Sequence, residues 1–588
     1  MKFASPRALA MLLPLLHATR AAPAADKPIL MPPFLVEEQK GDGIEWIYGS
    51  GGDMRVLSGC GTDQTAGFIQ QINQQRNELK KFIPDEFLLH ERLPLTLVVF
   101  PKSQMPAMDQ VLGRELNHGA APPSRQFTPM NDLRLSEPDS SVIFIVFDDT
   151  EATTDVWLRG GDRVHSNHYT MPVWSPSFVR FLLQARSPAL PDWYVLGCVG
   201  LYETMKFKAA DDSGERDLET LRPTIVGASF GPDPWLSDSD ASALSRHPDG
   251  ARPLIPLGEL FDPRYPSSKS DEYRRVWEAQ AELFIRWALS GRVDGEQERL
   301  QRFVRAATTR RTTEEFFYSC FGLDYADALD ALSDFLPHAV GRPLFVPSDA
   351  PPRPAPLELR AATAGEVRRV KAEWSRRVLA AIKEDDPAAF SLFAVRVRDS
   401  FERAYSKGER DPDFLASLAL FRIQYGNAND GFRLLEQYPG AAATRPIAQL
   451  ELAQQHLLEA LSKPAGAKGA LSEEQASELM REISPTLRAI PIESAYKLAA
   501  KVCEHLGRDP TPSERRILAA GARHFPRNSE LVVQAAAWEL RAGEATDAVK
   551  LIEFGLWECA DTSSRKDLVV LDNLARQALT AASLKGRN

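Results

Sequence analysis

The sequence predicts an α+β protein: an N-terminal mixed α/β layer joined to a helical subdomain, followed by a helix-only, repeat-like region. Three observations carry this expectation. Two unbroken apolar runs, LTLVVF at 95–100 and VIFIVF at 142–147, have the length and residue types of fully buried strands. An apolar stripe at helical spacing precedes them, so strand, helix and strand follow one another as a layered core requires. Beyond residues 343–356, which hold six prolines in fourteen positions, nearly every segment reads as a helix with short breaks.

The elements can be justified in chain order. Residues 1–7 carry Lys2 and Arg7 and no acid, 8–16 is a short apolar run, and Ala22 and Ala24 are the small residues a signal peptidase reads. That order predicts a signal peptide over 1–24 and a secreted or periplasmic location. Loss of Lys2, Arg7 and Arg20 would take the net charge from −10 to −13. Residues 25–43 read as irregular. Trp46 to Tyr48 and 54–57 read as short strands around Gly49, Gly51 and Gly52. Phe68, Ile69, Ile72, Leu79, Phe82 and Ile83 form one helical face, closed by Pro84. Segments 177–185, 194–207 and 274–289 fit helices, and the polar, Pro-rich stretch 209–271 reads mostly as loop. The proline cluster predicts a semi-rigid linker over 343–360, with a helical region over 361–588. There, 414–425, 447–461, 495–506 and 530–541 are the clearest helices. Residues 529–558 read as a helix–turn–helix unit broken at Gly543, with small Ala537 and Ala548 where the two helices could approach. Arg523 to Pro526, followed by Asn528, resembles the end of a tetratricopeptide repeat, which implies a solenoid; a non-repeating helical bundle is the other reading.

Composition narrows the function classes. The 588 residues carry 70 Lys+Arg against 80 Asp+Glu, a balance that argues against general nucleic-acid binding. No apolar run approaches the ~18 residues a membrane helix needs, so no integral membrane segment is expected. The five cysteines, Cys60, Cys198, Cys320, Cys503 and Cys559, are far apart and include no CxxC, so a thiolate zinc site is not expected and they read as free or buried thiols. Arg302, Arg305, Arg310 and Arg311 are interleaved with Glu296, Glu298, Glu314 and Glu315 and read as a solvated mixed-charge surface. Gly49 to Gly52 lacks the Lys-Ser/Thr of a phosphate loop.

No HExxH, GxSxG, Walker loop or GxGxxG occurs. Yet 176–203, PSFVRFLLQARSPALPDWYVLGCVGLYE, resembles the core of gluzincin-like zinc metallopeptidases, in particular an exported bacterial group with the pattern HExxHxLL…LPxWLxEGLAEYxE. In that pattern two His at i and i+4 bind zinc, the intervening Glu activates the metal-bound water, and a Glu on the next helix completes the ligand set. Leu182 and Leu183 match the apolar pair, and Leu190, Pro191, Trp193, Gly197, Tyr202 and Glu203 match the second element. The ligand positions do not match: Pro176 and Arg180 stand at the two His, Ser177 at the base and Leu196 at the third ligand. The resemblance covers about 44–337, including 253–261 as a proline-rich loop, Ala279-Gln280 as part of a YAQSW-like helix and 313–336 as closing helices. It implies a degenerate metallopeptidase-like domain over 44–342 with no catalytic residues, no bound zinc or other cofactor, and Arg180 either paired with Glu203 or turned to solvent.

The expected function is therefore non-catalytic: an exported protein binding peptide or protein partners through its helical repeats. The alternative is a hydrolase using His165 or His168 with Asp148, Asp149 and Glu151, which would have to converge with Glu203. A third reading makes the N-terminal half purely architectural.

Overall fold

The computed structural model describes residues 45–51, 54–88, 93–101, 130–147, 176–203, 205–209, 216–217, 222–223, 225–230, 254–262, 271–290, 296–341, 344–347, 358–385, 387–462, 471–506, 508–558 and 562–585. Its first half is built on a mixed sheet. Strands β1 (Ile47–Gly51) and β2 (Met54–Ser58) form a hairpin, α1 (Thr62–Phe82) crosses over to β3 (Leu95–Pro101), and β4 (Met130–Glu137) turns into β5 (Ser140–Phe147). The order is β11-β1-β2-β3-β5-β4, where β11 is Leu359–Ala361; β2, β3 and β5 run parallel and the other pairings are antiparallel.

The apolar runs are unbroken because this sheet is buried on both faces. Leu97, Val99, Ile143 and Ile145 point into one core with α1, α2 (Pro176–Gln184) and α3 (Asp192–Glu203). Val98, Phe100, Val142 and Phe144 point into another, roofed by α9 (Ala364–Asp385), α10 (Pro387–Ser406) and α11 (Pro412–Tyr425). Across that second face runs an aromatic row: Trp46 meets Phe100 edge-on at 5.0 Å, Phe100 lies 5.1 Å from Phe144, and Phe144 lies 4.3 Å from Trp374 of α9. Such pairs add to the apolar area they bury.

The first core continues through α4 (Leu257–Leu260), α5 (Asp271–Ala288), α6 (Glu296–Ala307), α7 (Glu314–Phe321) and α8 (Tyr325–Gly341). Three corrections to the sequence reading fall here. The helix expected over 194–207 ends at Glu203, and Met205–Ala209 is strand β6. The stretch expected as loop contains β7 (Arg216–Asp217), β8 (Arg222–Pro223) and β9 (Ile225–Phe230) as well as α4. The segment expected as a linker contains β10 (Leu344–Pro347), which pairs with β9 in a sheet ordered β10-β9-β6, and most of β11. Leu344, Phe345 and Val346 have the apolar and aromatic character of a strand, and a proline is tolerated at its end.

Beyond β11 the described chain is helical. α12 (Ala428–Gln437), α13 (Pro439–Thr444), α14 (Pro446–Ser462), α15 (Glu473–Ala489), α16 (Glu493–Glu504), α17 (Pro512–His524), α18 (Ser529–Arg541), α19 (Ala545–Glu558) and α20 (Thr562–Lys585) follow α11 with short connections. Their starts are written in sequence. Ser472 with Gln475 and Thr511 with Glu514 form reciprocal capping boxes, and Asp411 and Asn528 cap α11 and α18 through their side chains. Gly543, at φ +86°, makes the left-handed turn between α18 and α19. The close approach between these two helices is at Gly555, whose absent Cβ leaves room for Val532, together with buried Ala548; Ala537 is only half-buried.

The last helices return to the first half. Arg527 pairs with Asp192 at the start of α3 (3.2 Å), the Ser187 hydroxyl donates to the His524 carbonyl (2.7 Å), and Arg311 lies 4.8 Å from the Trp557 ring centre. No described helix is long and apolar enough to cross a membrane.

Candidate functional site

The resemblance directs attention to α2 and α3. Pro191 accepts the first backbone bonds of α3, from Tyr194 and Val195, and Trp193 then enters the core. Its ring lies 5.0 Å from Phe261, 5.5 Å from Phe284 and 5.9 Å from Phe303, which ties α3 to α5 and α6. One turn on, Gly197 lets α3 lie directly on α5: a Cβ there would stand 2.7 Å from the Ala281 carbonyl oxygen. Gly200 faces Glu282, which forms a buried pair with Arg286 at 2.7 Å. Tyr202 is wholly buried in the same core, as are Leu182, Leu183 and Leu190.

The elements flanking α5 also meet. The Gln280 amide donates to the Ile255 carbonyl and accepts from the Ile255 N–H, both at 2.6 Å, and the Trp277 indole donates to the Leu260 carbonyl at 3.1 Å. One side chain therefore replaces a strand partner for the 254–256 segment and fixes the start of α4. The resemblance singles out Ala279-Gln280, but nothing in the sequence pairs Gln280 with Ile255 or Trp277 with Leu260.

The positions that the resemblance sets against zinc ligands do not fit a metal ion. Ser177 is half-buried, Arg180 is exposed, and Leu196 packs against the apolar core. A hydroxyl, a permanent cation and an alkyl group do not make a zinc donor set, and Pro176 has no donor to offer. The side chains of Pro176 and Glu203 lie outside those described. The nearest thiol is also quiet: burial pushes Cys198 up to about 12, leaving no thiolate nucleophile near neutral pH. Cys60, Cys320 and Cys503 are likewise buried. Asp148, Asp149, Glu151, His165, His168 and Cys559 lie outside the described residues. Among the described residues no group of three or more His, Cys, Asp or Glu side chains is positioned to hold a metal ion.

A second site has no counterpart in the sequence reading. The β4–β5 hairpin turns through Glu137-Pro138-Asp139-Ser140, and its carboxylates meet arginines from α9 and from the α13–α14 junction. Arg445, held extended before Pro446, grips Asp139 with two bonds (3.0 and 2.9 Å) and also donates to Glu373 (2.7 Å) and Glu137 (2.8 Å). Arg376 pairs with Glu137, and Arg377 donates to Glu373 (2.7 Å) and to the Leu135 and Ser140 carbonyls (2.8 and 3.0 Å). Burial alone would raise all three carboxyls. The facing guanidiniums outweigh it, so Glu137 and Asp139 are held below their ordinary values and Glu373 well below. Residues 137–139, 373–377 and 445 are too far apart in sequence for any local signal to join them.

Against this network lies a cavity of about 270 Å³, bounded by the starts of β2, β3 and β5, by α9 and α11, and by residues 443–446 and 489–490. Asp139, Glu373, Arg377 and Arg445 form its charged wall. None of Ser177, Arg180 and Leu196 lines it. The chain matches no protein-family model, no curated protein and no solved structure.

Proposed function

We propose that this is an exported, non-catalytic metallopeptidase-like protein that binds peptide or protein partners through a tetratricopeptide-like helical region. The observation that supports the reading is that α2 and α3, the pair the resemblance makes a zinc site, serve as a packing pair. Leu196 belongs to the apolar core, Arg180 offers a cation at the surface, and Trp193 and Gly197 are used to seal α3 against α5. The helices from α11 to α20 support the binding half of the reading. Successive helices pack side by side as in a solenoid whose long face suits an extended partner. Export is supported by the charged, apolar, small-residue order of the first 24 residues.

The test is metal analysis of the purified mature protein together with incubation against a random-peptide library. The expected outcome is zinc far below one atom per chain, no cleavage, and saturable retention of a subset of peptides. Stoichiometric zinc accompanied by turnover would overturn the reading.

A further inference from the structure

We infer that the cavity between the sheet and the helical region is a binding site for a free aliphatic α-amino acid. The inference is independent of the non-catalytic reading, because it rests on a different cavity and on different side chains.

The deep wall spends most of its bonding capacity within the network. Arg445 and Arg377 spend their donors on Glu137, Asp139, Glu373 and backbone carbonyls, and the Ser417 hydroxyl is given to Glu373. Spare capacity sits at the more exposed end. Arg55 donates from one nitrogen only, to Asp413 at 2.9 Å, and its side chain is 42% exposed. Arg369 gives its two terminal nitrogens to Asp411 (3.4 Å) and to the Tyr48 hydroxyl (2.9 Å), while its Nε is buried with no partner. Asp413 accepts from Arg55 at one oxygen, which leaves the other. The same cavity thus presents the unspent donors of Arg55 and the unspent carboxylate oxygen of Asp413 side by side.

The Arg369 Nε has no accessible surface, so the polar groups a ligand can engage at this end are those of Arg55 and Asp413. A monoanion would satisfy Arg55 but add a second negative charge beside Asp413. A monocation would do the reverse. A zwitterion whose carboxylate and ammonium stand one carbon apart satisfies both. The rest of the lining sets the side chain: Val142, Val370 and Ile490 are aliphatic, and no aromatic or further unpaired charged group stands among the lining residues. The volume of about 270 Å³ is at the lower edge of small-molecule sites, which admits one amino acid and excludes a longer peptide.

The experiment is calorimetric titration of the full chain with leucine, with 4-methylpentanoate, which lacks the ammonium, and with isoamylamine, which lacks the carboxylate; isoleucine and valine complete the set. Saturable one-site binding of at least one of the three amino acids is expected, with each leucine analogue at least tenfold weaker than leucine. In Asp413→Asn, leucine should lose its advantage over 4-methylpentanoate. In Arg55→Gln, binding of leucine should weaken at least tenfold. Circular dichroism establishes that each variant is folded, and the wild-type comparison of leucine with its analogues stands if either is not. The inference is overturned if none of the three amino acids binds at millimolar concentration, or if 4-methylpentanoate or isoamylamine binds wild-type protein as tightly as leucine.

Discussion

Arg445→Met is expected to lower the unfolding free energy by about 3–5 kcal/mol, the usual cost of removing one partner from a buried ion network. The side chain of Asp139 is fully buried and would lose both of its guanidinium bonds, while Glu373 and Glu137 would each lose one. Urea unfolding at neutral pH, followed by tryptophan fluorescence, measures the loss. Arg305→Ala is the control: it removes an ion pair with Glu86 whose two side chains are more than half exposed, and the midpoint should barely move. The network also fixes the response to acid. Its carboxyls are depressed in the folded state, so their contribution is complete above the ordinary carboxylate range and is lost as pH falls through the depressed folded-state values. Arg445→Met weakens that depression, so its acid unfolding should begin at a higher pH than that of the parent. A variant as stable as the parent at neutral pH would show that the hairpin tip is not held by these charges.

Trp193→Ala should cost a similar amount, about 3–5 kcal/mol, through a cavity among rings that cannot all close in. Phe261, Phe284 and Phe303 surround the indole, and Phe261 also contacts both of the others, so movement of one toward the gap breaks contacts behind it. Trp193→Phe should recover much of the loss. Thermal melting of the three proteins side by side reads the order: wild type, then Phe, then Ala. Equal melting of Ala and wild type would mean that α3 is held by other contacts.

What could be read from the sequence follows from how local the cause is. β3 and β5 are legible because two buried faces write an unbroken apolar run. α1 and the helices after Asp411 are legible because periodicity and caps lie within one or two turns. β4 is not, since Leu133 and Leu135 alone alternate with polar neighbours, and β6 to β10 are too short to outweigh the polar residues around them. At the candidate site, the Leu-Pro-x-Trp turn and Gly197 are singled out by the sequence, and the structure gives each of them a contact; Gly200 is not singled out. The Gln280 clamp and the Glu137–Asp139–Arg445 network were invisible because every partner lies on a remote segment. A glutamate before a proline in a turn reads as solvated until an arginine some three hundred residues later is folded onto it.

The roof over the second face of the sheet has a consequence for biosynthesis. Phe144 emerges from the ribosome about 230 residues ahead of Trp374, its stacking partner. At about 5–20 residues per second, the interval is on the order of 10–50 s. Throughout it Trp46, Val98, Phe100 and Phe144 lack the cover that α9 gives them in the folded chain, so the nascent chain carries an exposed aromatic surface until α9 is made.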